Sequence, residues 1–180
     1  MCTFSALASP SGIAYDPIGS RLFVSDVSNN RVIQYTLPNP AAGIVAAGPN
    51  IAANPLVGPI GIYFDAASNS LVIANSGANN IIQWFLTTNT FAVVAGSPAG
   101  VASPVFPNTQ LNRLFNPFGV ALDSNGNIIV ADSGNHRIML FSPGLPTDGT
   151  KNGRVIAGTE DGGRAANQLS TPFAVDIDAQ

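Results

Sequence analysis

The sequence predicts an all-β protein built as a β-propeller, and three observations support this prediction. A strand-start motif recurs four times, short apolar runs alternate with tight polar turns, and charged residues are scarce. Charged residues make up 9% of the chain, against about 25% in ordinary soluble domains. The 18 glycines and 14 prolines suit many short strands joined by turns, and they disfavour long helices.

Each repeat begins with an apolar strand that ends in Asp. These starts are residues 10–16, 59–65 and 117–123, with a fourth at 172–178, so they lie 49, 58 and 55 residues apart. Each full repeat adds a second strand that ends in Asp or Asn, a polar turn, a third strand and a looser fourth. The second strands are predicted at 21–26, 70–75 and 127–132, the third at 31–35, 80–84 and 137–141, and the fourth at 43–47, 91–95 and 154–158.

Four strands in a period of about 50 residues are typical of a propeller blade. Asn125-Gly126, between the first two strands of the third repeat, is a strong hairpin signal. The apolar positions follow strand periods rather than helical ones, which excludes helical repeats. The sequence therefore predicts one domain over residues 1–180, with three full four-stranded blades and the first strand of a fourth.

Residues 126–138 resemble the NHL repeat, including an Asn-His-Leu-type element at Asn135-His136-Arg137. The resemblance covers the chain apart from its first few residues. It is weaker in the second repeat, where Asn79-Asn80 replaces the His-Arg pair. NHL propellers resemble six-bladed rings, so the resemblance implies an incomplete ring. We expect either a fragment of a longer protein or self-association with a second copy that completes the ring.

An acidic and a basic residue recur five positions apart across a tight turn, as Asp26 with Arg31 and as Asp132 with Arg137. In the second repeat both charges are lost together, to Asn75 and Asn80. An ion pair inside each hairpin explains this joint loss, because an Arg without its carboxylate would be costly to bury. The alternative is that these Asp residues form an acidic ring for a ligand.

Other polar residues recur at turns. Asp16, Asp65 and Asp123 end the first strands, where a carboxylate accepts backbone N–H bonds of the following turn. Carboxylates near a propeller axis are alternatively ligands for a cation such as Ca²⁺. Asn135 and His136 lie in the third polar turn, and His136 takes the place of Asn30 and Asn79. A local hydrogen-bonding role explains this single histidine, and the sequence predicts no catalytic, metal-binding or cofactor-binding set.

The charge balance bears on the partners. The net charge is −3 and the seven basic residues are scattered, which makes a nucleic-acid groove unfavourable. We expect no membrane segment and no signal peptide, because no apolar run is long enough and the start lacks a basic region. The compartment is not determined by these features.

Two classes of function follow. The first is a non-enzymatic scaffold that binds a protein or peptide on the propeller loops, with residues 38–59 and 96–117 as candidate loops. The resemblance implies that such a domain serves as the substrate-recognition part of a ubiquitin-ligase-like protein, or as an RNA-binding NHL domain. The second class is a metal-dependent propeller enzyme, amidating-lyase-like or lactonase-like, whose zinc site needs more histidines than this chain has.

Overall fold

A computed structural model describes residues 6–38, 43–49, 54–98, 110–144, 151–159 and 161–178. These residues form β-strands joined by tight turns. The strands are β1 (Pro10–Asp16), β2 (Arg21–Asp26), β3 (Arg31–Thr36), β4 (Ile44–Ala47), β5 (Pro59–Asp65), β6 (Ser70–Asn75), β7 (Asn80–Phe85), β8 (Thr90–Gly96), β9 (Pro117–Leu122), β10 (Ile128–Asp132), β11 (Arg137–Phe141) and β12 (Arg154–Gly158).

The strands form three four-stranded antiparallel sheets, β1–β4, β5–β8 and β9–β12, each in simple chain order. The three blades predicted from the repeat are thereby confirmed. A single 3-10 turn joins the second and third strands of each blade, at Val27–Asn29, Ser76–Ala78 and Ser133–Asn135. The residue after each turn has a positive φ, at Asn30, Asn79 and His136.

Residues 172–178 take the place of a fourth first strand without belonging to a sheet. No described strand pairs with them, and a strand ladder needs such a neighbour. Their position is nevertheless that of the repeat. A Cβ built on Gly119 would lie 2.8 Å from Ala174 Cα, just as a Cβ on Gly12 or Gly61 would meet the backbone of the next first strand.

The first strands β1, β5 and β9 are neighbours, and glycine allows their close approach. A Cβ on Gly12 would lie 2.3 Å from the Ile60 carbonyl oxygen, and one on Gly61 would lie 2.3 Å from the Phe118 carbonyl oxygen. Backbone atoms cannot move aside as a flexible side chain can. The glycine of the repeat start is therefore a packing requirement.

The core consists of two layers, one between each pair of adjacent blades. Phe23 and Val32 of the first blade pack against Leu71 and Trp84 of the second. Between the second and third blades, side chains such as Val72 and Ile81 pack against residues of β9–β11, including Val130, Met139 and Phe141. Each blade thus has a leading face, toward the preceding blade, and a trailing face, toward the next one.

A leucine three residues before each repeat start adds to these layers. Leu56 packs between the first and second blades, and Leu114 packs between the second and third. Leu7 and Leu169 occupy the same position before Pro10 and Pro172. This Leu-x-x-Pro pattern occurs four times along the chain.

We expect Gly61→Ala to lower the free energy of unfolding by about 2 kcal/mol, because the new methyl group overlaps the Phe118 carbonyl oxygen. Urea unfolding followed by far-UV circular dichroism measures the change. Ala174→Gly is the matched control, since residue 174 holds the same repeat position and already carries a methyl group. Equal stability of the Gly61→Ala variant and the wild type would contradict the packing requirement.

Candidate functional site

The repeated Asp and Arg form an ion pair inside the first and third blades. Arg31 Nε lies 2.7 Å from Asp26 Oδ2, and Arg137 Nε lies 2.8 Å from Asp132 Oδ2. Both members of the third-blade pair are fully buried. Asn135, in the turn between them, donates a hydrogen bond from Nδ2 to the same oxygen of Asp132 at 2.8 Å.

The other oxygen of each carboxylate binds the segment that leads into the blade. Asp26 Oδ1 accepts from the Ala8 backbone N–H at 2.6 Å, and Asp132 Oδ1 accepts from the Phe115 N–H at 2.7 Å. Arg137 Nη2 donates to the Arg113 carbonyl oxygen at 3.0 Å. Each pair therefore fastens the incoming segment to the hairpin. The sequence alone does not predict this contact, because its partners lie 17 or 18 positions apart.

The second blade makes the same connection with neutral groups. Asn75 Oδ1 accepts from the Val57 N–H at 2.6 Å, and Asn75 Nδ2 donates to Asn80 Oδ1 at 2.9 Å. Asn80 Nδ2 donates to the Ser97 carbonyl oxygen at 2.9 Å. Both side chains are buried. Two amides thus replace a carboxylate and a guanidinium without loss of the connection.

The pKa values of the two buried carboxyl groups, Asp26 and Asp132, shift in opposite directions. Desolvation by burial raises the pKa of the Asp132 carboxyl above its usual value, against the hydrogen bonds from Phe115, Asn135 and Arg137. Burial also acts to raise the pKa of Asp26, but the hydrogen bonds from Ala8, Asn29 and Arg31 together hold that pKa below its usual value. Ionising the carboxyl group therefore costs more free energy in the third blade, at Asp132, than in the first blade, at Asp26.

The Asp residues that end the first strands bind the turns that follow them. Asp16 Oδ1 accepts from the backbone N–H groups of Ile18 and Gly19, at 3.0 and 3.1 Å. Asp65 Oδ1 accepts from the Ala67 N–H at 3.0 Å, and Asp123 Oδ1 from the Asn127 N–H at 2.8 Å. These contacts have the geometry of turn residues.

Asp16 also pairs with Arg21, whose Nε donates to Asp16 Oδ2 at 2.8 Å. Arg21 continues across the blade boundary, where Nη2 donates to Asn69 Oδ1 at 2.7 Å. Its guanidinium lies over the rings of Phe23 and Phe64, 5.4 and 5.1 Å from their centroids. This arginine therefore links the first blade to the second through charge, hydrogen bond and ring contact.

The residue after each 3-10 turn connects one blade to the start of the next. Asn30 Oδ1 accepts from the Gly58 N–H at 2.7 Å, and Asn79 Oδ1 accepts from the Asn116 N–H at 2.7 Å. His136 Nδ1 accepts from the Thr171 N–H at 3.1 Å. His136 therefore makes the same junction as the two asparagines, with Nδ1 as the acceptor.

An apolar groove of about 220 Å³ runs along the first strands. Its lining comes from all three blades and the 172–178 segment, and includes Ile60, Ile62, Phe118, Val120, Phe173 and Val175. Phe118 and Phe173 meet edge to face, with ring centroids 5.2 Å apart, and Phe173 is 62% exposed. The described lining residues carry no titratable side chain. We call this feature the axial groove.

Several sequence expectations concern residues beyond this groove. The candidate binding loops at 38–59 and 96–117 lie partly outside the described residues, which omit 39–42, 50–53 and 99–109. Among the residues that are described, His, Cys, Asp and Glu form no group of three or more with the geometry of a metal site. In those same ranges, no helix has the length and apolar character needed to cross a membrane.

We expect Asp132→Asn to lower the free energy of unfolding by about 3–5 kcal/mol, because it leaves the buried Arg137 without a counter-charge. The double variant Asp132→Asn, Arg137→Asn copies the second blade and is expected to regain most of that loss. A double-mutant cycle in urea unfolding measures the coupling. If the two single losses simply added, the pair would not be the unit that the structure indicates.

We expect His136→Asn to preserve the junction with Thr171, because asparagine fills this position in the other two blades and tolerates its positive φ. His136→Ala removes the acceptor, and we expect the Thr171 amide to exchange its hydrogen about fivefold faster, in line with one lost hydrogen bond of about 1 kcal/mol. Amide hydrogen exchange measures both variants. Unchanged exchange in His136→Ala would show that this bond is not formed.

Comparison with known proteins agrees with this architecture. The NHL repeat family matches residues 116–139, which include β9, β10 and most of β11. No curated protein sequence matches the chain significantly. The matched residues contain Asp132, Asn135 and Arg137, so the family pattern coincides with the buried ion pair and its turn.

Solved structures share the fold at low sequence identity. A protein of unknown function from Bacteroides thetaiotaomicron has a TM-score of 0.68 at 14% identity, over 93% of this chain and 42% of its own. An auxiliary nutrient binding protein from Bacteroides ovatus has a TM-score of 0.62 at 14% identity, over 98% and 44%.

Virginiamycin B lyase from Staphylococcus aureus has a TM-score of 0.60 at 14% identity, over 96% of this chain and 47% of its own. The chain thus spans less than half the length of each of these three structures, and the likeness concerns the fold alone. The described residues make three consecutive blades of such an architecture. Residues 116–139 therefore carry an NHL repeat, and the three described blades form an incomplete β-propeller.

Proposed function

We propose that these three NHL-type blades form a non-enzymatic binding module that recognises a protein or peptide ligand through the axial groove. The observation that carries this proposal is the groove itself. It is lined by branched aliphatic and aromatic side chains, and it leaves the Phe173 ring largely exposed. Exposed apolar surface on a rigid scaffold is typical of interaction sites.

The rigidity of the groove supports this role. Its walls include first strands whose backbones are in close contact at Gly12, Gly61 and Gly119, and such close packing favours a fixed spacing of the apolar side chains. Little binding free energy is then lost in ordering the site, and the apolar side chains of the ligand displace water from the lining. Aromatic anchors such as Phe118 and Phe173 suit a protein ligand, because aromatic side chains are enriched at protein interfaces.

The carboxylates at the recurring positions favour recognition over acid–base chemistry. Asp26 and Asp132 each accept bonds from an arginine and a backbone N–H, and Asp16 accepts bonds from its turn and Arg21. Their hydrogen-bonding capacity is used within the fold. The acidic balance of the chain weighs against RNA as the ligand.

Under this proposal the module selects a protein for a larger assembly, as the substrate-recognition part of a ubiquitin-ligase-like protein does. The metal-dependent enzyme class has less support. Three of the structures that share the fold are named as lyases, but a fold hosts many functions.

Panning phage-displayed random peptides on the purified chain tests the proposal. We expect enriched peptides to contain aromatic or branched aliphatic residues. Phe173→Asp is expected to weaken their binding about tenfold, because it places a charge in the apolar groove. Isothermal titration with one synthetic peptide from the enriched set gives the affinities.

Ile18→Asp is the matched control, because Ile18 is also an exposed apolar residue but lies in the turn between β1 and β2. It should leave the affinity unchanged. Circular dichroism confirms that both variants fold. The proposal is wrong if no peptide is enriched above background, or if the two variants bind the enriched peptides equally.

A further inference from the structure

The trailing face of the third blade carries a second groove, larger than the axial one and lined by both apolar and polar side chains. It has a volume of about 680 Å³ and lies between this face and residues 172–178. Ile129, Ile138 and Ile156 line it from β10, β11 and β12, and Val175 and Ile177 line it from the segment. Ile156 is 42% exposed. We call this feature the trailing groove.

The other two blades show what covers such a face. The positions of Ile129, Ile138 and Ile156 correspond to Val72, Ile81 and Val94 in the second blade. Those three side chains are packed in the core layer against the third blade. The leading-face residues that cover a trailing face belong to the second and third strands of the next blade, such as Ile128, Val130 and Phe141.

The backbone of residues 172–178 offers an edge for the same partner. In each blade the first strand pairs antiparallel with the second, with Tyr15 opposite Leu22 and Asp16 opposite Arg21 in the first blade. Residues 172–178 hold the first-strand position beside Gly119, and no described strand pairs with them. An open edge of this kind accepts an added strand through main-chain hydrogen bonds.

Carboxylates beside the trailing groove favour a partner that carries a positive charge. Asp178 stands at the repeat position of Asp16, whose carboxylate pairs with Arg21 at the start of the second strand. Asp123, Asp176 and Asp178 all border the trailing groove. A second strand that begins with Arg therefore meets a carboxylate at the position where the first blade forms its ion pair.

We propose that the trailing groove and the edge of residues 172–178 together form an acceptor site for an antiparallel β-hairpin with the second- and third-strand pattern of this repeat. The first strand of the hairpin begins with Arg and pairs with residues 172–178. Its leading-face side chains, at the positions held by Leu22, Val24, Ile33 and Tyr35 in the first blade, face the trailing groove. There they contact Ile129, Ile138 and Ile156. The site shares Val175 with the axial groove, but the proposal does not depend on the proposed function.

A synthetic peptide that copies residues 20–36 of this chain is the probe. We expect it to bind the full chain saturably, and to slow hydrogen exchange of the amides in residues 172–178 because they enter a ladder. Ile156→Asp in the protein is expected to weaken binding about tenfold. Ile44→Asp is the matched control, since Ile44 is an exposed isoleucine on the outer strand of the first blade, away from the site.

The peptide supplies two further controls. Replacing its Arg21 by Glu should weaken binding at least threefold through repulsion from Asp178, and a scrambled peptide should not bind. The proposal fails if the peptide binds no tighter than about 1 mM, or if the scrambled peptide binds equally well. It also fails if sedimentation shows a dimer that Ile156→Asp dissociates and that the peptide does not displace, because a second copy then covers this face.

Discussion

The structure depends on how closely the first strands of successive blades approach one another. At Gly12 and Gly61 the space that a Cβ would need is taken by the backbone of the next blade. This contact sets the distance between blades, and that distance determines which side chains fill the layers between them. Phe23, Leu71 and Trp84 fit the first layer because the backbones of the first strands are already fixed.

The buried pairs have a complementary role within each blade. Each one joins the hairpin between the second and third strands to the segment that enters the blade, through Asp26, Asn75 or Asp132. Both versions accept the backbone N–H of the incoming segment at 2.6 to 2.7 Å. The bond across the turn is reversed, because each Arg donates to its Asp whereas Asn75 donates to Asn80. What the fold requires at this position is an acceptor for one backbone N–H and a partner across the turn. Charge is one way to meet that requirement, and a pair of amides is another.

The sequence allowed the blades to be predicted because each is made of neighbouring strands with a local pattern. Turn signals such as Asn125-Gly126 and the recurring Asp or Asn after the second strand were sufficient for the hairpins. The axial groove was not predicted, because Ile60, Phe118 and Phe173 are brought together only by stacking of blades about 50 residues apart. The role of His136 was foreseen only as a local hydrogen bond, since its partner Thr171 lies 35 residues away. Residues 172–178 were predicted as a strand from their pattern, yet a ladder also requires a neighbour that the pattern cannot supply.

The methyl group of Ala174 limits the rotational symmetry of the blade arrangement. Gly12 and Gly61 admit the next first strand at the same spacing, with a carbonyl oxygen 2.3 Å from an added Cβ, whereas at Gly119 the corresponding oxygen, of Phe173, lies 3.0 Å away. A strand placed over residue 174 with the spacing seen at Gly12 would bring a carbonyl oxygen to 2.3 Å from that methyl carbon. A strand placed beyond residues 172–178 would therefore need a wider step there than the one between the first and second blades.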